Sequence, residues 1–496
     1  MRIISKVGRK LKVVLVNPIF EGKVFAPTLG LGFIGTYLRE HSNCEVQVIE
    51  PLLQGLTRTQ VLGMAQESDI VGLTCYTESR FEVFKFALDT KKVNPECRLV
   101  VGGPHVNTLD EAILQYYPFI DTVVRGEGEA SFLDIVEGRR PKEIPGITWR
   151  TDGGIIRNPD RSPIRDIDSL HYDYSFLPEL KKWKDFEVPQ ELIGLNAFPI
   201  IASRGCPFRC TFCAAHEQWD KVYRVLSPVE LVRRLKSLVN TYNIRYFRFY
   251  DALFMFDEKK VLEFSNLLKE SGLEISFRID IRAGMSKKTL EVLREVGCTI
   301  VGVGIESGSN KVLKRIKKGI SREQIEETIE ICRELKYWAI GYFMVSLPDE
   351  TLEDFGKTLE LPRFFDGINL QFFKIHPGTS CYSELKLKNE INDGIWFDQR
   401  YGNEIYYCKE LFPSAGFSLS EGMTLFHRIY YNYYNHNRRR TFQTFGKTRG
   451  ISVFLLSTVM DKILRSNKIS RRLYPKLLQT NLPGMFQRWL TKDLRK

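Results

Sequence analysis

The sequence predicts an α/β protein in three parts: an N-terminal doubly wound, Rossmann-like domain, a central partial β/α barrel of the TIM type, and a mostly helical C-terminal region. Two observations carry this prediction. Short apolar runs alternate with helical patterns over most of the chain, which is typical of parallel sheets. Beyond about residue 390 the alternation stops, and the patterned stretches there, over 425–435 and 452–465, are predicted to be helical. A chain of 496 residues holds roughly three domains of about 150 residues each. The expected divisions are a first domain, a linker, a second domain and a C-terminal region at 1–150, 151–190, 191–390 and 391–496.

Five strands are predicted in the first domain. Each is a short apolar run: Lys12–Val16, Glu45–Ile49, Ile70–Thr74, Leu99–Val101 and Thr122–Val124. Helical patterns separate most of them, over 30–40, 81–92 and 110–116. Glycines and small polar residues directly follow several strands in the sequence, at the carboxyl edge where such sheets bind ligands.

The linker region is rich in Pro, Asp and aromatic residues, and a short hairpin over 146–156 is predicted as part of this connector. In the second domain a strand over 199–204 leads into a cysteine-rich stretch. Further strands alternate with helices, at 245–250, 274–281, 299–305, 338–346 and 368–375. Six such units indicate a partial β/α barrel with its reactive groups at the carboxyl ends of the strands.

Three cysteines lie within eight residues, Cys206, Cys210 and Cys213, at positions i, i+4 and i+7. A small loop can turn three such thiols toward one point, where soft thiolates suit an iron–sulfur cluster or zinc. A structural zinc site needs a fourth ligand, for which His216 is the nearby candidate. A cluster with one open iron needs only three.

With Phe212 before the last cysteine, this spacing resembles the signature of the radical S-adenosylmethionine (SAM) family. The resemblance implies a 4Fe–4S cluster held by the three cysteines, with SAM bound through its amino and carboxylate groups to the open iron. It makes 191–390 the radical SAM core, in an enzyme that works at low oxygen. It also implies SAM-binding roles for Phe212, Asp251, Arg282, Glu306 and Ser307.

Within that set, the family pattern assigns the SAM amino group to Asp251, its carboxylate to Arg282 and the ribose hydroxyls to Glu306 and Ser307. The chemistry agrees, because a zwitterion needs an acceptor and a bidentate donor, and arginine supplies a planar fork. The stretches around Gly304–Ser309, Lys318-Gly319 and Leu347–Thr351 resemble the same family, with Ser346 where the family usually has glycine.

The first domain resembles the cobalamin-binding domain that precedes many radical SAM domains. Three stretches carry this resemblance, Pro27–Gly32, Gly102–His105 and Gly126–Glu129. The contacts it implies for cobalamin are Pro18, Gly30, Leu31, Gly32, Thr74, Gly102, Gly103, His105, Gly126, Glu127 and Gly128. A domain of this fold that binds nothing is the alternative.

One departure from that family concerns the lower face of cobalt. Domains similar to that of methionine synthase carry D-x-H-x-x-G after the first strand, and the histidine ligates cobalt. Here Ile19 occupies the histidine position and cannot ligate. We therefore expect no protein ligand at that face. His105 is another candidate ligand, although a histidine bonded to neighbouring backbone is the simpler interpretation.

These resemblances together imply a cobalamin-dependent radical SAM enzyme that functionalises an unactivated carbon by methyl transfer from methylcobalamin. The expected partners are a small-molecule or lipid substrate and a flavodoxin- or ferredoxin-like electron donor. The alternatives are a ring-forming cyclase or rearrangement enzyme without methyl transfer, and a tRNA methylthiotransferase. The last needs three more cysteines in one place, whereas Cys75 ends a strand and Cys44 and Cys97 precede strands. A cobalamin-binding sensor would have no use for the cysteine motif.

The distribution of cysteines and the N-terminal residues indicate the cellular compartment of the protein. Ten cysteines, mostly scattered, do not form a secreted disulfide framework. The basic start leads into an apolar run from Val13 that Asn17-Pro18 interrupts, unlike a signal peptide. The apolar run over 451–460 is shorter than the roughly 20 residues that span a bilayer. We expect a cytoplasmic protein.

The positive charge is concentrated at the C-terminus. The chain has a net charge of +12, but residues 424–496 contain 16 Lys and Arg against 2 Asp and Glu, which is +14. The other residues, with 56 against 58, have a balance of −2. This basic helical region is expected to contact an anionic membrane surface peripherally. A solvated tail is the alternative. No nucleic-acid-binding motif is present, so nucleic acid is not an expected partner.

Overall fold

The computed structural model describes residues 9–21, 27–177, 198–219, 222–255 and 257–437. These residues belong to two compact units. The first unit holds the described residues up to 177 together with 198–279 and 375–405. The second holds 280–374 and 406–437.

Seven strands form the first sheet: β1 (Lys12–Val16), β2 (Glu45–Ile49), β3 (Ile70–Thr74), β4 (Arg98–Gly102), β5 (Thr122–Val124), β6 (Ile147–Thr151) and β7 (Gly154–Arg157). Their order is β2-β1-β3-β4-β5-β6-β7. The first five strands pair in parallel, which confirms the predicted doubly wound sheet. β2 lies on one side of β1, and β3, β4 and β5 follow on the other side, so the strand order changes direction at β1. Sheets of this kind bind ligands at such a point, outside the carboxyl ends of the strands.

The predicted hairpin is present, but it belongs to the first sheet and is not part of a separate connector. β6 pairs antiparallel with β5, and β7 pairs antiparallel with β6. Thr122 and Trp149 are directly opposite each other in this pairing. The first sheet therefore continues past residue 150.

Six helices accompany this sheet: α1 (Leu29–His41), α2 (Pro51–Gln54), α3 (Arg58–Gln66), α4 (Arg80–Val93), α5 (Asp110–Tyr116) and α6 (Gly128–Val136). The hydrophobic core on one face includes Leu31 and Leu38 of α1 and Phe132 and Ile135 of α6, with Val13 and other apolar residues of the strands. Burial of these side chains fixes the first turns of α1 and α6 above the carboxyl edge of the sheet.

A second sheet has six strands: β8 (Phe198–Ile200), β11 (Tyr246–Phe249), β12 (Ser276–Arg282), β13 (Cys298–Glu306), β14 (Trp338–Val345) and β15 (Gly367–Phe372). Their order is β15-β14-β13-β12-β11-β8. This curled parallel sheet is the predicted partial barrel. The predicted strand over 199–204 is wrong in one respect, because it breaks after Ile200. Two short strands, β9 (Ser203–Arg204) and β10 (Arg224–Val225), form a separate antiparallel pair.

The helices of this part are α7 (Ala215–Trp219), α8 (Pro228–Tyr242), α9 (Glu258–Glu270), α10 (Lys287–Glu295), α11 (Asn310–Arg315), α12 (Arg322–Glu334), α13 (Leu352–Leu359), α14 (Ser380–Leu387) and α15 (Leu419–His436). Local sequence sets many of their starts. Ser227 accepts a hydrogen bond from the backbone N–H of Glu230, and Ser321 and Thr351 begin capping boxes.

The C-terminal helix α15 is longer than the predicted segment 425–435, because the capping box of Ser418 and Glu421 starts it at Leu419, nearly two turns earlier. Tyr431 and Tyr433 are buried in it, as core packing requires. The predicted helix over 452–465 and most of the basic region lie outside the described residues. Within the part of the chain that is described, no helix has the length and apolarity that crossing a membrane requires.

Candidate functional site

The three cysteines lie on the loop between β9 and α7. Cys206, Cys210 and Cys213 are each half-buried, and none forms a disulfide. Cys213 donates its backbone N–H to the carbonyl of Cys210 at 3.2 Å. Gly205 precedes the loop with φ +89°, and a Cβ there would collide with the carbonyl of Val222. Only glycine fits this entry to the loop.

The donor set suits a soft metal cluster, although the sulfurs are not gathered at one point. Among the described side chains, no group of three or more His, Cys, Asp and Glu has the geometry of a metal site. Three partly exposed thiols that form no disulfide, all on one short loop, are nevertheless the ligands that an iron–sulfur cluster requires. The side chain of His216, the fourth ligand of the zinc alternative, is not among those described.

A cavity of about 490 Å³ opens at the carboxyl edge of the first sheet. Eight of the eleven residues predicted for cobalamin line it: Gly30, Leu31, Thr74, Gly102, Gly103, Gly126, Glu127 and Gly128. The cysteine loop and its neighbours supply another part of the lining: Ile201, Arg204, Ala214, Ala215, Gln218 and Trp219. The cavity is therefore shared between the first sheet and the segment that carries the cysteines.

Pro18, Gly32 and His105 do not line this cavity. A Cβ on Gly32 would collide with the Tyr172 side chain, so this glycine allows close packing below the cavity. His105 is fully buried, its Nδ1 lies 3.2 Å from Thr77 Oγ1, and its ring packs edge-on against Trp396. Burial lowers the pKa of His105 to about 3, so the ring is neutral.

A buried ion network connects the cavity to the strand before the cysteines. Arg204 donates from Nη1 to Glu127 Oε1 at 3.0 Å and from Nη2 to Glu129 Oε1 at 2.6 Å. Arg224 pairs with the same Glu127 at 2.8 Å. The Arg204 guanidinium also lies 4.8 Å from the centre of the Phe33 ring. Burial alone would lower the pKa of Arg204, but the two carboxylates outweigh it and raise the pKa.

In the first unit, the SAM candidates are Phe212 and Asp251. Phe212 is half-buried on the cysteine loop. Asp251 is buried, and its carboxylate accepts hydrogen bonds from the Ala202 N–H at 3.1 Å and from the Ser203 hydroxyl. Burial raises the pKa of Asp251 to about 7, against these hydrogen bonds. Asp251 thus holds the backbone that leads to the cysteines.

In the second unit, Glu306 ends β13 with φ +66° and forms a buried ion pair with Lys318 at 2.8 Å. Arg282 ends β12, and its Nη2 lies 2.9 Å from where a Cβ on Gly319 would be. The Lys318-Gly319 pair therefore contacts two of the candidates.

Ser307 is fully buried, also in the second unit. Its hydroxyl lies 3.2 Å from Thr358 Oγ1 and accepts from the Ser309 N–H. Its hydroxyl is therefore occupied by internal hydrogen bonds.

Comparisons with known proteins agree with this architecture. The sequence profile of the B12 binding domain matches residues 19–136, and that of the Radical SAM superfamily matches residues 200–361. The chain is 31% identical over 398 residues to an uncharacterized methyltransferase of Pyrococcus horikoshii, covering 77% of this chain and 84% of that protein. The chain belongs to the cobalamin-dependent radical SAM methyltransferase family.

The chain is also similar to a curated enzyme of a different named activity and to a solved structure. The anaerobic magnesium-protoporphyrin IX monomethyl ester cyclase of Rubrivivax gelatinosus is 27% identical over 406 residues, covering 77% of this chain and 71% of that one. The structure of the cobalamin-dependent SAM radical enzyme OxsB, with aqua-cobalamin and SAM bound, matches with a TM-score of 0.67 at 17% identity. It covers 92% of this chain and 72% of OxsB and confirms the fold.

This radical SAM enzyme therefore uses a 4Fe–4S cluster, SAM and cobalamin, as predicted. The residues assigned to each cofactor remain predictions. Sequence reasoning missed Arg204, Gln218 and Trp219 in the cavity wall, and it named Lys318 as part of the family pattern without predicting its ion pair with Glu306. For Arg204, its position two residues before Cys206 was a signal in the sequence that it lies near the site. The others depend on contacts between segments distant in sequence.

Proposed function

We propose that the enzyme transfers a methyl group from methylcobalamin to an unactivated carbon of a small-molecule or lipid substrate. The observation that carries this proposal is that the segment bearing the cysteines forms one wall of the cavity assigned to cobalamin. A substrate held at that wall would be close to both cofactors, as methylation of a carbon that must first lose hydrogen requires.

In this proposal the protein positions the substrate and the cofactors and excludes water from them. When bound, the cluster supplies the electron that cleaves SAM, and cobalamin supplies the methyl group. Cys206, Cys210 and Cys213 would hold the cluster, and the glycine-rich loops behind β4 and β5 would lie against cobalamin. Apolar residues such as Leu31 and Phe132 keep the cavity dry, which protects reactive species from water. A flavodoxin- or ferredoxin-like protein is the proposed electron donor.

A cyclase or rearrangement enzyme without methyl transfer is the second candidate. The 27% identity to the magnesium-protoporphyrin cyclase over 77% of this chain favours it. Both candidates use the same cofactors, so only the product distinguishes them.

The third alternative, methylthio transfer, conflicts with the cysteine positions. Cys75 follows β3 at the carboxyl edge of the sheet, whereas Cys44 and Cys97 precede β2 and β4 at the other edge. Cys75 is fully buried, and burial raises the pKa of its thiol above the usual range. These three thiols are unsuited to share a second cluster.

The test begins with an extract in which a compound accumulates when this protein is missing. Reconstituted enzyme, cobalamin, a reductant and SAM carrying a labelled methyl group are added without oxygen. We expect 5′-deoxyadenosine and a product that carries the label. Formation of 5′-deoxyadenosine with an unlabelled product would favour the cyclase. The matched control is the triple variant Cys206→Ala, Cys210→Ala, Cys213→Ala, which should lose its iron and form neither.

A further inference from the structure

We propose that the loop 126–129, which includes the first residues of α6, couples the two cofactor sites, so that cobalamin binding strengthens cluster binding and cluster binding strengthens cobalamin binding. Arg204 and Gln218 act as positioning residues in this coupling, one on each side of the cysteine loop. The inference uses the cofactors established for this family and does not depend on which product the enzyme forms.

The first connection lies before the cysteines. The Arg204 side chain is 5% exposed and bonds to Glu127 and Glu129, both on the loop 126–129. Removing one partner of such a buried pair leaves an uncompensated charge, so the pair strongly fixes the relative position of the two segments.

The backbone link from Arg204 to Cys206 is short, because only one residue separates them. The residue between them, Gly205, has a left-handed backbone and packs closely against Val222 and Trp219. A displacement of the Arg204 backbone is therefore transmitted to Cys206 and is not absorbed by the link.

The second connection lies after the cysteines, in α7. Gln218 donates from Nε2 to the Gly126 carbonyl at 3.3 Å. Asn107 donates to Gln218 Oε1 at 3.0 Å and accepts from the Gly126 N–H at 3.1 Å. Asn107 also donates to the carbonyl of Glu217 at 3.1 Å. The end of the cysteine segment is thus bonded to the start of the same loop.

Both connections end on residues that line the cavity. Gly126, Glu127, Gly128 and Glu129 all contribute to its wall, and so do Arg204 and Gln218. A cofactor that fills the cavity limits the positions of the loop 126–129, and this loop limits the positions of the cysteines. Ordering at one site lowers the entropic cost of ordering at the other, which gives positive coupling. By thermodynamic linkage the effect is equal in both directions.

The experiment measures the dissociation constant of hydroxocobalamin by equilibrium ultrafiltration, for full-length protein with its cluster and for the same protein after iron removal. We expect the cluster to tighten cobalamin binding by about tenfold, within the usual range of coupling between sites. We also expect hydroxocobalamin to slow iron loss to a chelator. Equal affinities with and without the cluster would overturn the proposal.

Two variants test the two connections. Glu129→Gln keeps the shape of the side chain but removes one of the two carboxylate charges that Arg204 contacts. Asn107→Ala removes the hydrogen bond between Asn107 and Gln218 without changing a residue that lines the cavity. We expect each to reduce the affinity ratio to about threefold or less. The control is Glu143→Gln, because Glu143 pairs with Arg140 on the surface, away from the cavity.

Circular dichroism establishes that each variant is folded before its ratio is measured. A purely structural role would weaken the binding of each cofactor alone while leaving the ratio at its parental value, and that result would also overturn the proposal. If one variant fails to fold, the ratio of the other decides.

Discussion

Asp251 is a buried carboxyl group that bonds to the backbone leading to the cysteine loop. Burial raises its pKa to about 7, from an ordinary value of 3.8. The folded protein therefore binds this proton more tightly than the unfolded chain. Between about pH 4 and 7 the folded state loses stability as pH rises, because the buried carboxyl must ionise.

We predict that Asp251→Asn flattens this pH dependence. The parent's thermal unfolding midpoint should fall relative to that of the variant as pH rises through this window, since the amide does not ionise. The measurement is the midpoint of both proteins from pH 4.5 to 7.5. Asp257→Asn is the control, because Asp257 is an exposed helix cap. A difference between Asp251→Asn and the parent that stays constant with pH would contradict the prediction.

Ile19 and His105 lead to a second prediction at the residue scale. Ile19 has no ligating atom, and none of the described residues that line the cavity is a histidine. Cob(II)alamin bound to the protein should therefore show no nitrogen superhyperfine splitting from an axial base in paramagnetic resonance. A clear nitrogen triplet would mean that His105 or the cofactor's own base ligates cobalt.

Individual residues could be predicted from sequence where a cofactor requires a particular type of side chain. The three cysteines were predicted because they are soft metal ligands, and most glycines of the cavity were predicted from the family resemblance. The position of His105 was not predicted, because its packing against Trp396 joins segments nearly 300 residues apart. The ion pairs of Arg204 were missed for the same reason, since Glu127 and Glu129 lie on another element.

At the scale of elements, Gly205 controls the entry to the cysteine loop. Gly205→Ala would place a Cβ against the Val222 carbonyl and force a left-handed backbone on alanine, at a cost of at least about 1–3 kcal/mol. We predict a lower thermal midpoint and less iron after reconstitution. Gly63→Ala is the control, because Gly63 lies in α3 with open space around its Cβ position. Parental iron content in Gly205→Ala would show that the loop does not depend on this conformation.

Strands and helices with clear periodicity were predicted to within about two residues. β1, β2 and β3 have the predicted limits, since β1 and β3 are mostly apolar runs and β2 alternates polar with apolar residues. The strand over 199–204 broke because Ala202 and Ser203 bond to Asp251, a tertiary contact. The early start of α15 at Leu419 was missed although its capping box is a local signal.

At the scale of the whole molecule, the charge distribution supports a prediction about the C-terminal region. Its balance of +14 contrasts with −2 for the other residues. We predict that Arg438→Gln, Arg439→Gln, Arg440→Gln weakens binding to anionic vesicles at low salt and leaves SAM cleavage unchanged. Each basic residue near such a surface contributes about 1 kcal/mol, and salt screens the effect.

Arg140→Gln, Arg233→Gln, Arg400→Gln is the charge-matched control, because these three arginines are exposed outside the basic region. It should bind vesicles like the parent. Equal binding by both triple variants, or no binding by the parent, would show that the basic region does not act at a membrane.

The division into a cobalamin-binding domain and a radical SAM core follows from the order of the motifs, and the family comparison agrees with it. The sharing of one cavity between the first sheet and the cysteine segment was not predictable, because it depends on how distant segments pack.

Methyl transfer by this enzyme is tested by mass spectrometry of the product formed with SAM deuterated in its methyl group. The proposal predicts that the deuterated methyl group appears intact on a carbon of the product, together with 5′-deoxyadenosine, and only when cobalamin is present. A product without deuterium, or one formed equally well without cobalamin, would contradict it.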